Sequence, residues 1–298
     1  MPRQSKSIQA ALPEREAIDI RSLAAACRNG QLDLVTVLGP TASGKTKYAV
    51  RLAREIGSAE IISADSRQVY RGMDIGTGKD LSDYGPVPYH LIDIADPGEG
   101  YNVFRFRQDF QAAYDDIRSR GAFPILCGGT GLYLNSVLSD YDFSSRKPLS
   151  APPAHTSAAG LPAAIAGPEK RGNGPSMAQA APAEQNSKLT GNSRRDFVIG
   201  TLVDRDTRNA RIDSRLDSRL QEGMVEEIKG LLDGGVSAET LLGYGLEYKF
   251  VTQYILGEMS YAQMRERLST AIHQFAKRQM TWLRGMERSG IRIHWVEI

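Results

Sequence analysis

The sequence predicts an α/β protein with a mostly parallel sheet. Three observations carry that expectation. Leu34-Val35-Thr36-Val37-Leu38 and Phe123-Pro124-Ile125-Leu126-Cys127 are short apolar runs, the pattern of strands buried on both faces. Each leads through a glycine-rich turn into residues of helical spacing. Strand and helix patterns alternate at the length of βαβ units. The 298 residues, 41% apolar and 24% charged, supply a core and exclude a wholly disordered chain, a collagen or a disulfide miniprotein.

Residues 1–33 read as an N-terminal extension. They mix charges with short apolar groups such as Ala24-Ala25-Ala26 and lack the continuous apolar core of a secretion signal. The first strand, Leu34 to Leu38, is followed by a helix from about Gly44 to Ile56 and a second strand, Glu60 to Ala64. Asn102 is placed to cap a helix whose Val103, Phe106, Phe110, Ala113, Tyr114 and Ile117 recur at helical spacing, and Gly121 ends it. Phe123 to Cys127 is the next strand, with Gly128-Gly129-Thr130-Gly131 turning into another helix. These elements make residues 34–143 an α/β core.

The pattern then stops. Residues 144–196 hold no Phe, Tyr or Trp, and seven of the 14 prolines lie between 148 and 182. Such a segment buries too little apolar surface to offset its ordering entropy, so a disordered linker is expected there. Order resumes with a strand at Phe197 to Val203, helices over about 206–232 and 260–286, and an alternating strand at Ile291 to Val296. Residues 197–298 are expected to complete the core and to add C-terminal helices.

The net charge of +2 points to no polyanionic partner by itself, so local clusters matter more. Cys27 and Cys127 give no disulfide framework and read as reduced, buried thiols. His90, His155, His273 and His294 have no metal-ligand spacing, and His90 reads as a structural histidine. No apolar stretch reaches the roughly 18 residues of a membrane span, so no membrane partner and a cytoplasmic location are expected; a monomer is expected as well.

Gly39-Pro40-Thr41-Ala42-Ser43-Gly44-Lys45-Thr46 matches the pattern G-x-x-x-x-G-K-[ST] between a strand and a helix. Glycines let backbone amides turn inward around phosphate oxygens, and the helix N-terminus adds partial positive charge. Lys45 supplies a point charge, and the Thr46 hydroxyl can hold Mg²⁺. The expected fold is therefore the three-layer, P-loop NTPase-like one. The loop identifies a phosphate chain rather than a reaction. Nucleotide-hydrolysing enzymes with this loop usually have an apolar strand ending in Asp, whereas Phe123–Cys127 runs into Gly-Gly-Thr. Asp65, directly after Ile61-Ile62-Ser63-Ala64, is the best acidic strand end. It could orient Mg²⁺, bind a substrate hydroxyl, take a proton, or simply cap a turn.

The phosphate loop, the run Asp65-Ser66-Arg67-Gln68-Val69-Tyr70-Arg71-Gly72-Met73-Asp74-Ile75-Gly76-Thr77-Gly78-Lys79, and Pro88-Tyr89-His90-Leu91-Ile92-Asp93-Ile94 resemble the tRNA dimethylallyltransferase (isopentenyltransferase) family. Gly128-Gly129-Thr130-Gly131-Leu132-Tyr133 and Ala276-Lys277-Arg278-Gln279-Met280-Thr281-Trp282-Leu283-Arg284 extend the resemblance. It covers about 34–143 and 195–296 in the family's order. It implies transfer of a dimethylallyl group from its diphosphate to N6 of an adenine, normally A37 beside the tRNA anticodon. The implied partners are dimethylallyl diphosphate and the tRNA anticodon stem-loop. The implied roles are diphosphate binding at Gly39 to Thr46, Arg215 gripping the same group, and Asp65 as general base. Asp65, Ser66, Arg67, Gln68 and Thr130 lie at family positions near the RNA or its acceptor base.

Arg208, Arg211, Arg215 and Arg219 share one helix face, interleaved with Asp204, Asp206, Asp213 and Asp217. Arg208 and Arg219 are expected to be solvated in i,i+4 ion pairs, and Arg211 and Arg215 to be functional. Lys277 and Arg278 on the last long helix are expected to contact RNA phosphates, while Tyr261, Phe275 and Trp282 are expected to pack in the core. Two departures from the family stand out. Residues 144–196 show no helical insertion of the kind that helps grip the anticodon stem-loop, and Ile272-His273 stands where the family has Thr-Arg. The chemical half is intact and the RNA-gripping half reduced. Free AMP, ADP or ATP is therefore an alternative acceptor, and a nucleotide kinase or NTPase an alternative activity.

Overall fold

The structure is a computed structural model that describes residues 13–139 and 194–298. In chain order the elements are α1 (Ile20–Arg28), β1 (Leu34–Leu38), α2 (Lys45–Ile56), β2 (Ala59–Ala64), a 3₁₀ turn (Leu81–Tyr84), β3 (Tyr89–His90), α3 (Val103–Ser119), β4 (Phe123–Gly128), α4 (Gly131–Leu138), β5 (Asp196–Leu202), α5 (Arg205–Gln221), α6 (Met224–Asp233), α7 (Ala238–Gly243), α8 (Leu246–Ile255), α9 (Tyr261–Arg288) and β6 (His294–Glu297). The strands form one sheet in the order β3-β2-β4-β1-β5-β6. Each pairing is parallel; Val35 of β1 sits between Ile125 of β4 and Phe197 of β5. The parts before and after residues 140–193 therefore share a single sheet, as expected. The expected linker at 144–196 lies almost wholly outside the described residues; Asp196 already belongs to β5.

Alternate residues of each strand feed two cores. Val35, Val37, Ile61, Ile125, Cys127 and Ile199 face α1 and α2. Leu34, Leu38, Ile62, Leu126, Val198 and Trp295 face α3, α4 and the C-terminal end of α9. That is the three-layer α/β architecture. A third core joins α5 to α9 and receives Val69, Tyr70 and Met73 from the segment after β2.

Several elements differ from the sequence expectation. Part of the N-terminal extension is core: α1 is capped by Asp19, which accepts from the Arg21 and Ser22 amides, and it buries Leu23, Ala24 and Cys27. The long helix expected over 206–232 is two, because Gly223 at φ 103° turns the chain between α5 and α6. The α5 aspartates do not pair along their own helix. Asp217 binds Arg265 of α9, and Asp213 accepts from Ser269. Arg208 is half-buried rather than solvated, and burial weighs against its charge. Tyr261, Phe275 and Trp282 are exposed, not core, Trp282 by 49%. Their helix buries Met264, Leu268, Ile272, Ala276, Leu283 and Met286 instead. Cys27 and Cys127 are free and buried, and His90 is bonded to Glu60, as expected. No helix among the described residues is long and apolar enough to cross a membrane.

Candidate active site

The site lies at the carboxyl ends of β1, β2 and β4, where a parallel α/β sheet opens a crevice. The chain leaves β1 through Gly39 to Thr46. Ala42 at φ 60° and Gly44 at φ 80° take left-handed conformations that turn the loop around a concave line of amides. No side chain caps α2, so its first amides stay open to an anion. The loop is braced from below: the Ser43 and Thr201 hydroxyls meet at 2.6 Å, and Thr201 donates to the Leu38 carbonyl. A Cβ at Gly39 would sit 2.2 Å from the Thr201 hydroxyl, so this position has room for glycine alone.

Gln279 of α9 reaches into the same place. Its side-chain oxygen accepts from the Thr41 amide at 2.8 Å, and its amide donates to the Gly129 carbonyl at 3.0 Å. It thereby ties the phosphate loop to the turn after β4. Asp65 follows β2, and its carboxylate accepts from the Arg67 amide at 2.9 Å. Thr130 caps the approach: its amide donates to the Ala64 carbonyl, and its hydroxyl accepts from the Ser66 amide at 3.1 Å. Gln68 turns inward, accepting from Ser63 and donating to the Gly78 carbonyl, so its amide braces the site from within.

Lys45 stands between these parts. Burial pushes its ammonium below the usual lysine range, the Arg215 charge acts the same way, and the Asp65 and Asp80 carboxylates oppose both. Burial raises the nearby Cys127 thiol to about 11, so it stays neutral. Across from the loop, Arg215 of α5 pairs with Asp80 at 2.9 Å, and Arg219 approaches the same carboxylate at 3.6 Å. Arg219 is nearly enclosed, 12% exposed, where a solvated pair was expected. Its guanidinium covers Gly78, where a Cβ would sit 1.6 Å from a nitrogen. A small cavity of about 20 Å³ opens between the loop and α5. Ala42, Ile212, Leu216 and Ile272 give it an apolar wall, and Arg215, Arg219 and Glu247 a charged one. Burial raises the Glu247 carboxyl, against the pull of Arg219.

The glycines at 76 and 78 do not form a second phosphate cradle. The amides of Asp74, Ile75 and Gly76 donate to the Glu227 carboxylate of α6, which also accepts from Tyr248. Lys79 is buried and donates to the Tyr70 carbonyl, Asp74 and Asp93. Lys277 and Arg278 are exposed on α9 beside Gln279, and Arg278 lies over the Phe275 ring. Trp282 rests on Gly131, next to Thr130. The structure thus gathers Gly39 to Thr46, Asp65, Ser66, Thr130 and Arg215 into one place. Asp80, Arg219, Glu247 and the strap at Gln279 are site residues that the sequence did not single out for these roles. Gln279 lay inside a quoted motif; Asp80 carried no local signal.

A phosphate loop facing a strand-end carboxylate, on a parallel sheet, defines an α/β phosphate-loop protein built to hold a phosphate chain. The match to known proteins narrows this. The model of the IPP transferase family covers residues 68–170 and 164–286, and that of isopentenyl transferases covers residues 32–84. A protein of Bacteroides fragilis named tRNA dimethylallyltransferase 2 is 49% identical over 284 residues, 89% of this chain and 92% of its own length. A Porphyromonas gingivalis tRNA dimethylallyltransferase 1 is 49% identical over 89% of this chain. The crystal structure of a tRNA isopentenylpyrophosphate transferase from Bacillus halodurans superposes with a TM-score of 0.67 at 27% identity, covering 89% of each chain. The chain belongs to the IPP transferase family and is a prenyltransferase.

Proposed function

We propose that the chain transfers a dimethylallyl group from dimethylallyl diphosphate to N6 of adenosine 37 in tRNA, releasing diphosphate. The observation that carries this reading is the placement of Asp65 and the phosphate loop around Lys45. One holds the leaving group and the other faces it with a carboxylate. The amides of Gly39 to Thr46, Lys45 and Arg215 take the negative charge that grows on the diphosphate as the C1–O bond breaks. The N6 lone pair forms the new bond to C1, and Asp65 takes the N6 proton. Delocalisation into the ring makes that amine a poor nucleophile, so removal of its proton as the bond forms is worth more than in an ordinary amine. Ala42, Ile212, Leu216 and Ile272 offer an apolar surface beside the charged groups.

Mg²⁺ fits this donor set. No group of three or more His, Cys, Asp or Glu side chains among the described residues could hold a metal. The Thr46 hydroxyl, with diphosphate oxygens, offers the hard oxygen donors that Mg²⁺ shares with water. When bound it supplies further charge neutralisation on the diphosphate. Exposed Lys277 and Arg278 suit contacts to the RNA backbone, with Ser66, Arg67 and Thr130 near the acceptor base and Gln68 bracing them from within. The test is incubation with dimethylallyl diphosphate and either unmodified tRNA or AMP, followed by nucleoside mass analysis. N6-dimethylallyladenosine at position 37 of the tRNA is expected. Product from AMP with none from tRNA would overturn the acceptor, and no product from either would overturn the reaction.

A further inference from the structure

Two arginines and a lysine converge on the diphosphate side of the site, and a carboxylate that belongs to no part of the reaction sits among them. The Asp80 carboxylate pairs with Arg215 at 2.9 Å and lies 3.6 Å from Arg219. Its charge also reaches Lys45. The residue is held there firmly. Its backbone is left-handed at φ 44° and ψ 48°, which a side-chain-bearing residue adopts at a cost. Its neighbour Lys79 is buried against Asp74 and Asp93, and its own carbonyl accepts from Asp83 at the start of the 3₁₀ turn. A carboxylate fixed on the arginine that would grip a diphosphate works against that diphosphate twice. It offsets part of the guanidinium charge, and it repels the incoming anion.

We infer that Asp80 is a built-in rival of diphosphate for Arg215, which limits how tightly the released product is held. The inference rests on the reading of the loop as a diphosphate holder. An enzyme that stabilises a departing diphosphate with a full phosphate loop and two arginines binds the free product for the same reasons. A carboxylate that takes Arg215 back offsets part of that affinity.

The test is calorimetric titration with inorganic diphosphate at a series of Mg²⁺ concentrations, using wild type, Asp80→Asn, Arg215→Ala and the double variant. Asparagine keeps the shape and tolerates the left-handed backbone, and Asp80→Gly serves as a second variant that relaxes it. Asp80→Asn is expected to tighten diphosphate binding by about 5- to 30-fold, and by less than about 2-fold in the Arg215→Ala background. A merely structural role would weaken binding or leave it unchanged, and either result overturns the inference. Weaker binding together with a lost Mg²⁺ dependence would overturn it too, by making Asp80 a metal-side ligand. Equal tightening in both backgrounds would show a general field effect and overturn the exchange at Arg215. Wild type that fails to bind diphosphate would overturn the reading of the loop itself, which separates the two failures.

Discussion

Asp65 is set apart from the other acids of the site by what it lacks. Asp80 is tied to Arg215, and Glu227 to three amides and a tyrosine, whereas Asp65 meets a backbone amide in its own turn. That bond engages one carboxylate oxygen, and the proposed reaction uses the other as the proton acceptor. Asp65→Asn keeps the turn acceptor and removes the charge, so it separates base from scaffold. It is expected to lower single-turnover prenyl transfer by ~10²-fold or more, while inorganic diphosphate is bound at least as well as by wild type. Unchanged transfer would remove Asp65 as the base. The neighbouring strap, Gln279, shows a different kind of residue. Its two hydrogen bonds close the loop from a helix more than two hundred positions away in sequence, and it touches no reacting atom in this scheme.

At the level of elements, the ends of β2 and β4 decide whether Asp65 and Thr130 face the loop together. These strands run in register from Ala59 opposite Phe123 to Ala64 opposite Gly128. At that last pair the backbones are too close for a side chain: a Cβ on Gly128 would lie 2.3 Å from the Ala64 carbonyl oxygen and 2.7 Å from its Cβ. Backbone inside a sheet cannot give way as a flexible side chain can. Gly128→Ala is expected to cost about 2 kcal/mol or more in urea unfolding, against about 0.5 kcal/mol or less for Gly100→Ala, which has open space around it. Equal midpoints for the two variants would contradict the packing argument. The strands themselves were legible in sequence because burial on both faces leaves an unbroken apolar run, and the phosphate loop because its glycine spacing is local. The capped helix at Asn102 was legible for the same reason. The break at Gly223, α1 and the short helices α7 and α8 were not, since each depends on the third core or on packing against α2 rather than on its own periodicity. Aromatic type misled for Trp282 and Phe275, where the helix buries aliphatic residues and turns its aromatics outward.

Across the whole molecule, chemistry and cohesion occupy opposite ends of the sheet. Asp65 and the phosphate loop stand at the carboxyl ends of the strands; Glu60 stands at the start of β2 and joins three elements there. Its carboxylate accepts from Arg120, which follows α3, and from His90 of β3. The pairing of Asp80 with α5 and of Gln279 with the loop likewise spans the chain, which is why neither could be read from a local pattern. Glu60 offers the clearest test of this distant cohesion. The Arg120 hydrogen bonds, helped by His90, hold it down from 4.5 to about 2. A carboxyl depressed by folding gives its full stabilisation above its unfolded value and loses it as the pH falls through the folded one. The contribution is therefore complete above about pH 5, and fades between about 4.5 and 2. Arg120 is 46% exposed, so solvent screening reduces it to on the order of 1–3 kcal/mol. Glu60→Gln should lower the unfolding free energy by that amount at pH 7, and the two denaturation curves should converge as the pH is taken toward 2.5. Because the ion pair sits away from the phosphate loop, diphosphate affinity at pH 7 should not follow the loss. Curves that stay parallel at all pH values would show that Arg120 and His90 do not hold Glu60 ionised.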